Sequence, residues 1–508
     1  MIDIKTKIHD KFSIEFKIGF SGRSKLRENN FSINSWIFIP NGLDINSSTY
    51  SNEQFYKDVK SNIRLITPRY FLRDIVSNDA VTYNNIRNAF NKAASSPTKT
   101  NVTDYIFQTK MFTTIFNSSL REESDSIIKT KDKADIIAKC TDYLQHIRDI
   151  LSSYRNLWEI IDVPTLTADE KMEFSFADEY MSHNVAIKTI AIIKHIESLH
   201  DESFNHLIAS MKRFIHDEKE YKMSMGYSYS IDGDESNNRE LVAHHRLLRK
   251  HIESALYLKI NTIQDGTVAQ QVVFGVAAGI AMVITTLIAL PFQKYLGNYP
   301  TLIFIILVIA YMLKDRLKEI MRSLFAYQLK GKYFDNKTVI SIKNNETGWE
   351  KEGMDFITAD KTPQEVLNIR NRSYLDSING TSDEKIILYR KKVFIDNEIL
   401  KSQYNYDFTG IYDITRFHIF HFTQKMDNPQ VTLNVLNDDG EVHTNTTEKT
   451  YSLYIVMQFQ YEEQQEYKGY KITMTRDGIT EINYITLQTN KLQQNNIKKL
   501  YEKRQYKH

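Results

Sequence analysis

The chain has 508 residues, with 65 Lys and Arg against 63 Asp and Glu, so its formal net charge is only +2. Hydrophobic residues make up 42% and charged residues 25%; this balance excludes a disordered or fibrous chain and argues against bulk nucleic-acid binding. A single cysteine, Cys140, excludes an intrachain disulfide and a Cys-rich zinc site.

Residues 1–100 read as a small α+β region. Phe12, Ile14, Phe16 and Ile18 alternate with polar residues, and Phe31–Ile39 forms a second apolar run stopped by Pro40 and Gly42. Ile63–Ile66 predicts a short third strand. Asn52–Lys60 and Val81–Ala94 have helical patterning, and the polar stretch Ala94–Asn101 marks the boundary.

Residues 104–262 predict a helical bundle. Ile137, Cys140, Leu144, Ile147, Leu151, Tyr154, Trp158 and Ile161 recur at spacings of three and four, up to Pro164. Cys140 lies on this seam, which favours burial over reactivity. Further helices are predicted over Glu173–Leu199, over Phe204–Ile215 with Asp201 as N-cap, and from a capping box at Asn237 and Glu240 to about Asn261.

The bundle holds nine of the fourteen histidines, so any catalytic centre is expected there. Arg239 with His244, and Arg246 with His251, fit an Arg-x4-His spacing similar to that of ribonucleases built on HEPN-type bundles. Such pairs occur near chance frequency in a chain this long, and their basic residues could equally face anionic headgroups. Glu197 and His200 form one Glu-x-x-His pair, but a di-iron bundle needs a second pair and two more carboxylates. The doublets His200-Asp201 and His216-Asp217 are weak hydrolase signals. Asp232, Asp234, Ser236 and Asn238 alternate as in a calcium loop, but Asn237 and Ala243 occupy the positions that need Gly and Glu, so a solvated loop is expected. Neither a metal nor a cofactor is implied.

Residues 266–313 are the outlier. No charge occurs from Gly266 to Gln293, and after Lys294 none occurs again until Lys314. About 20 apolar residues span a hydrocarbon core, so a transmembrane hairpin is predicted, with spans over about 268–292 and 295–313. Arg246, Arg249, Lys250 and Lys259 precede it; Lys314, Arg316, Lys318 and Arg322 follow it. That asymmetry places both termini in the cytoplasm of a bacterial inner membrane. Gly275 and Gly279, four apart on the first span, suggest helix packing and self-association.

Residues 314–330 extend the second span as a helical stalk, with Gly331 as its stop. Residues 331–485 alternate as an antiparallel β-rich domain with a helix near Pro363–Ile378. Strands are predicted at Val339–Ile342, Ile386–Tyr389, Val393–Ile395, Phe417–Phe422 and Val431–Val435, with turns at Asn437–Gly440 and Asp477-Gly478. Residues 490–508 form a basic amphipathic tail. No Walker A, Rossmann, kinase or zinc-protease motif occurs in the chain.

These features predict an α+β membrane protein whose cytosolic domains sense or bind a partner, either a cytosolic protein or a small ligand, and couple it to the hairpin. It would act on the bilayer upon assembly, with lipid and further copies of the chain (a homo-oligomer) as partners. The alternatives are a membrane-anchored nuclease using Arg239, His244, Arg246 and His251, and a static scaffold.

Overall fold

The computed structural model describes residues 2–22, 26–77, 80–295, 300–329, 334–342, 345–370, 384–402, 406–427, 430–436 and 438–485. Strands β1 (Ile2–Asp10), β2 (Ser13–Ser21) and β3 (Glu28–Pro40) precede α1 (Asn52–Asp58) and β4 (Val59–Leu65). The helices α2 (Val81–Ser95), α3 (Lys99–Lys129), α4 (Lys133–Asn156), α5 (Trp158–Ile161), α6 (Ala168–Glu197), α7 (Asn205–Met225) and α8 (Glu235–Glu253) follow. β5 (Lys259–Gln264) leads into two long helices, α9 (Thr267–Tyr295) and α10 (Pro300–Leu329). Then come β6 (Asn336–Ile342), β7 (Asn345–Ile357), α11 (Gln364–Arg370), β8 (Glu384–Asp396), β9 (Gly410–His418), β10 (Gln430–Leu436), β11 (Val442–Glu448), β12 (Tyr451–Tyr461), β13 (Gln464–Thr475) and β14 (Gly478–Ile485).

The chain divides into two compact units. One comprises Met1–Asn62, Lys259–Asp396 and Asp413–His508; the other comprises Ile63–Leu258 and Asn397–Tyr412. The first unit is built on an eight-stranded antiparallel sheet of order β14-β13-β12-β3-β8-β7-β6-β5. The N-terminal β3 is therefore the central strand of a sheet made mostly from the C-terminal third. Its alternation predicts a strand correctly, but alternation carries no information about the partner. β3 pairs with β8 along thirteen residues, from Glu28 opposite Asp396 to Pro40 opposite Glu384. On one face Trp36, Phe38, Ile386, Tyr454 and Val456 pack under Val366 and Ile369 of α11. On the opposite face Phe31 meets Phe20 of β2, and Phe16 meets Tyr470.

Lys391 of β8 is 2% exposed. It donates to Glu350 at 2.6 Å and to Glu352 at 3.1 Å, and also pairs with Asp413. Burial alone would lower its pKa, but Asp413 and Glu350 raise it well above the usual value and keep it charged. Burial pushes the Glu350 pKa up, against the pull of Lys391.

The membrane hairpin is a correction. Among the described residues no helix is long and apolar enough to cross a membrane. In α10, Lys314, Asp315, Arg316, Lys318 and Glu319 follow directly on Leu313. The α+β class stands, while the two-span architecture does not. The inner-membrane location, the cytoplasmic placement of both termini and the membrane-coupled function lose their basis with it, as do the membrane-anchored nuclease and the membrane scaffold.

Several local expectations also shift. The seam helix stops at Asn156 and restarts as α5, so it is not one continuous helix to Ile161. Asp234, not Asn237, caps α8 by accepting from the Asn237 amide at 2.9 Å. α8 ends at Glu253, and a 3-10 turn over Ser254–Leu256 precedes β5. Phe420–Thr423 is a helical turn, not strand, and Ile386–Ile395 is one strand, not two. Residues 296–299, Gly331, the helix expected to continue over 371–378 and the basic tail 490–508 lie outside the described residues.

Replacing Lys391 with Met should lower unfolding stability by about 3–5 kcal/mol, because it leaves buried carboxylates uncompensated. Urea unfolding of the full chain measures this; an unchanged midpoint would show that the carboxylates are neutral without the lysine.

Candidate functional site

Within the helical unit, α3, α6 and α8 enclose a cleft of about 410 Å³. Each helix contributes a polar stripe at helical spacing, so that the side chains fall on one face. From α3 come Thr114, Asn117, Ser118 and Arg121; from α6, Tyr180, His183, Asn184 and Lys188. From α8 come Val242, His245, Arg246, Arg249 and Glu253; the end of β4 adds Arg64, and the chain after it adds Thr67.

The lining is strongly cationic. Arg64, Arg121, Lys188, Arg246 and Arg249 face a single lining carboxylate, Glu253. Glu253 accepts from Arg249 Nε at 2.9 Å and from Arg64 Nη1 at 3.3 Å, and Lys188 lies 3.7 Å from Asp125. Arg121 and Arg246 enter no ion pair among the described residues.

The neutral part of the lining includes two imidazoles, of His183 and His245, and two amides, of Asn117 and Asn184. The rings of His183 and His245 stack with centroids 3.3 Å apart and planes 14° apart. Burial lowers the pKa of His183 to about 4, helped by Lys222. Burial also lowers His245 to about 3, with His183 and Lys222 adding repulsion. Both rings are therefore neutral at pH 7, and two imidazolium ions could not stack in this way. His245 is 8% exposed, and neither of its ring nitrogens has a hydrogen-bond partner among the described residues; the same holds for the buried Nδ2 and Oδ1 atoms of Asn117 and for Arg64 Nε.

Behind the cleft, Arg155 of α4 locks the bundle. It donates Nε to Asp178 at 3.0 Å and makes a two-pronged contact to Glu218 at 3.0 and 2.9 Å. Ser182 and Tyr221 donate to the same carboxylates, to Glu218 and Asp178 respectively. Lys222, one turn beyond Glu218, is buried, and burial lowers its pKa.

Of the residues singled out in the sequence, only Arg246 lines the cleft. Arg239 is exposed and donates Nε to the Glu235 carbonyl at 3.3 Å. His244 and His251, seven apart, bond from Nε2 to Glu179 at 3.0 Å and to Glu173 at 2.8 Å. They pin α8 to α6 and are positioning residues. Glu197 pairs with Lys212 at 2.8 Å, while His200 lies past the end of α6 with φ of 51°; the structure does not bring the two into one site. Cys140 is buried, and burial raises its thiol to about 12. On α9, Gly275 and Gly279 face open space, while Ala277 and Ala281 are the small residues buried there. His183, His245, Asn117 and Arg121 were missed in the sequence because each is unremarkable alone. The available signal was the set of polar stripes, spaced three, four and seven, on three separate helices.

The depressed histidine pKa values fix the sign of a pH effect. Between pH ~6.5 and the folded values the unfolded chain binds more protons, so stability is complete above pH ~6.5 and falls as pH drops toward 4. The urea midpoint should fall between pH 7.5 and pH 5, and fall less in the double variant His183→Gln/His245→Gln. Equal falls in both proteins would contradict the assignment.

Comparison with known proteins returns nothing: no family model, no curated protein and no solved structure matches this chain.

Proposed function

We propose that the helical unit binds a small ligand carrying several phosphate charges, with the cleft between α3, α6 and α8 as its site. The supporting observation is the imbalance of the lining: five cations against one carboxylate, with Arg121 and Arg246 left without ion-pair partners among the described residues. Cations held close together repel one another, and a multiply charged anion relieves that repulsion. Guanidinium groups suit the task because each presents paired N–H donors matching phosphate oxygens. A volume of about 410 Å³ falls within the ~300–1,000 Å³ typical of small-molecule sites. Binding is favoured over phosphoester hydrolysis because both imidazoles are neutral. A general acid or base works best with a pKa near the operating pH, and both rings are shifted well below it.

Tripolyphosphate tests the reading directly. Titration calorimetry on the full chain should show one saturable site that weakens as salt is raised. The double variant Arg121→Ala/Arg246→Ala should lose about 100-fold in affinity, roughly tenfold for each charge-assisted contact. Absence of binding, or equal binding by the variant, would overturn it.

A further inference from the structure

The buried cluster around Lys391 places an amine against a carboxyl group in the interior of the sheet unit. The side chains of Lys391 and Glu350 are each 2% exposed, and that of Asp413 is 0% exposed. The groups come from two sheets. Glu352 of β7 stands opposite Lys391 of β8, and Glu350, two residues earlier, shares its face. Asp413 belongs to β9, in a four-stranded sheet of order β1-β2-β9-β4, and its Oδ2 accepts from Lys391 Nζ. The three acids differ in their surroundings. Asp413 Oδ1 accepts from Ser61 of β4, and Thr415 Oγ1 lies 3.0 Å from both Asp413 oxygens. Glu350 Oε1 is 2.6 Å from Nζ, and burial favours its protonated form. Glu352 lies 3.1 Å from Nζ and accepts from the Tyr389 hydroxyl; burial opposes its charge, but Lys391 and Tyr389 hold its pKa low. The buried ring of Phe55 packs on Tyr389 and Phe417, so apolar surface adjoins the polar cluster.

We infer that Lys391 and Asp413 condense to an intramolecular isopeptide bond, with Glu350 relaying a proton and the hydroxyls of Ser61 and Thr415 holding the oxyanion. The first proton moves along the Lys391–Asp413 hydrogen bond, which leaves a neutral amine and a neutral acid. Nζ then attacks Asp413 Cγ, and the oxyanion that forms accepts from Ser61 and Thr415. Glu350 takes the second proton from Nζ as one passes to the departing hydroxyl, which leaves as water. One C–N bond forms, one C–O bond breaks, and neither an oxidant nor a cofactor is consumed. Asp413 is the electrophile because its oxygens carry both hydroxyl contacts, whereas Glu350 suits proton relay. In dilute water such a condensation is disfavoured, because both ions are well solvated. Here that solvation is already lost, and the reaction removes one buried ion of each sign. Fixing the two groups in contact is equivalent to an effective concentration on the order of 10⁵ M or more. The bond joins β8 of the eight-stranded sheet to β9 of the four-stranded sheet. It also closes the excursion Asn397–Tyr412, which belongs to the helical unit, into a covalent loop.

Intact-mass spectrometry of the full chain, folded and then denatured, tests this without any ligand. The native chain should be one water lighter than its sequence requires, and protease mapping should recover a branched peptide that links Lys391 to Asp413. Lys391→Arg and Asp413→Ala should keep the full sequence mass. Glu350→Gln, which preserves size and removes the relay, should condense about 100-fold more slowly or worse, with circular dichroism checking that it folds. A folded native chain at full sequence mass overturns the bond, whatever the variants do. So does a lost water that maps elsewhere, including a link from Lys391 to Glu350 or Glu352. A folded Glu350→Gln chain that condenses at the native rate overturns the relay.

Discussion

The contact on which the helical unit depends is the one Arg155 makes with Asp178 and Glu218. A single guanidinium joins α4 to α6 and α7, and its Cζ lies 3.6 Å from the ring centre of Tyr221. Asp178 is fully buried, and burial raises its pKa despite the guanidinium beside it. Such a group is costly to desolvate and costlier still to leave unpaired. What it supplies is register: α6 can neither slide nor rotate against α4 and α7 without exposing a charge to a dry interior. The register of α6 in turn fixes Tyr180, His183, Asn184 and Lys188 along one wall of the cleft.

α8 is then set against α6 by a second pair of contacts, His244 to Glu179 and His251 to Glu173. These two histidines occupy one face of α8. The neighbouring face presents His245, Arg246 and Arg249 to the cleft. The division of labour follows from 3.6 residues per turn, since adjacent residues diverge by about 100°. Thus His244 locates the helix while His245 lines the site. Burial keeps His245 neutral, with repulsion from His183 and Lys222 adding to it. The cleft accordingly combines fixed positive charge at its arginines with uncharged donors and acceptors at Asn117 and His245.

Much of the local structure was legible in the sequence. The alternation at Phe31–Ile39 and the 3-4 spacing from Cys140 to Tyr154 specify strand and helix because each needs only one buried face. What was not legible was long-range pairing. β3 lies between β8 and β12, more than 340 residues away along the chain, and nothing in its own pattern names those partners. The site was obscured for the same reason. The Arg-x4-His spacing is a one-helix signal, and it selected Arg239, His244 and His251, which face elsewhere. The cleft is a three-helix property. Apolar composition at 266–313 suggested a membrane, yet composition alone does not establish a span of sufficient length.

The most direct test of the central claim is to observe the two imidazoles while the anion binds. In histidine-labelled full-length protein at pH 7, nitrogen-detected NMR should report neutral rings for His183 and His245. Saturating tripolyphosphate should shift the resonances of these two rings and leave the exposed His200 and His216 unmoved. Shifts confined to the exposed histidines, or spread evenly over all of them, would show that the anion binds elsewhere and would contradict the cleft as the functional site.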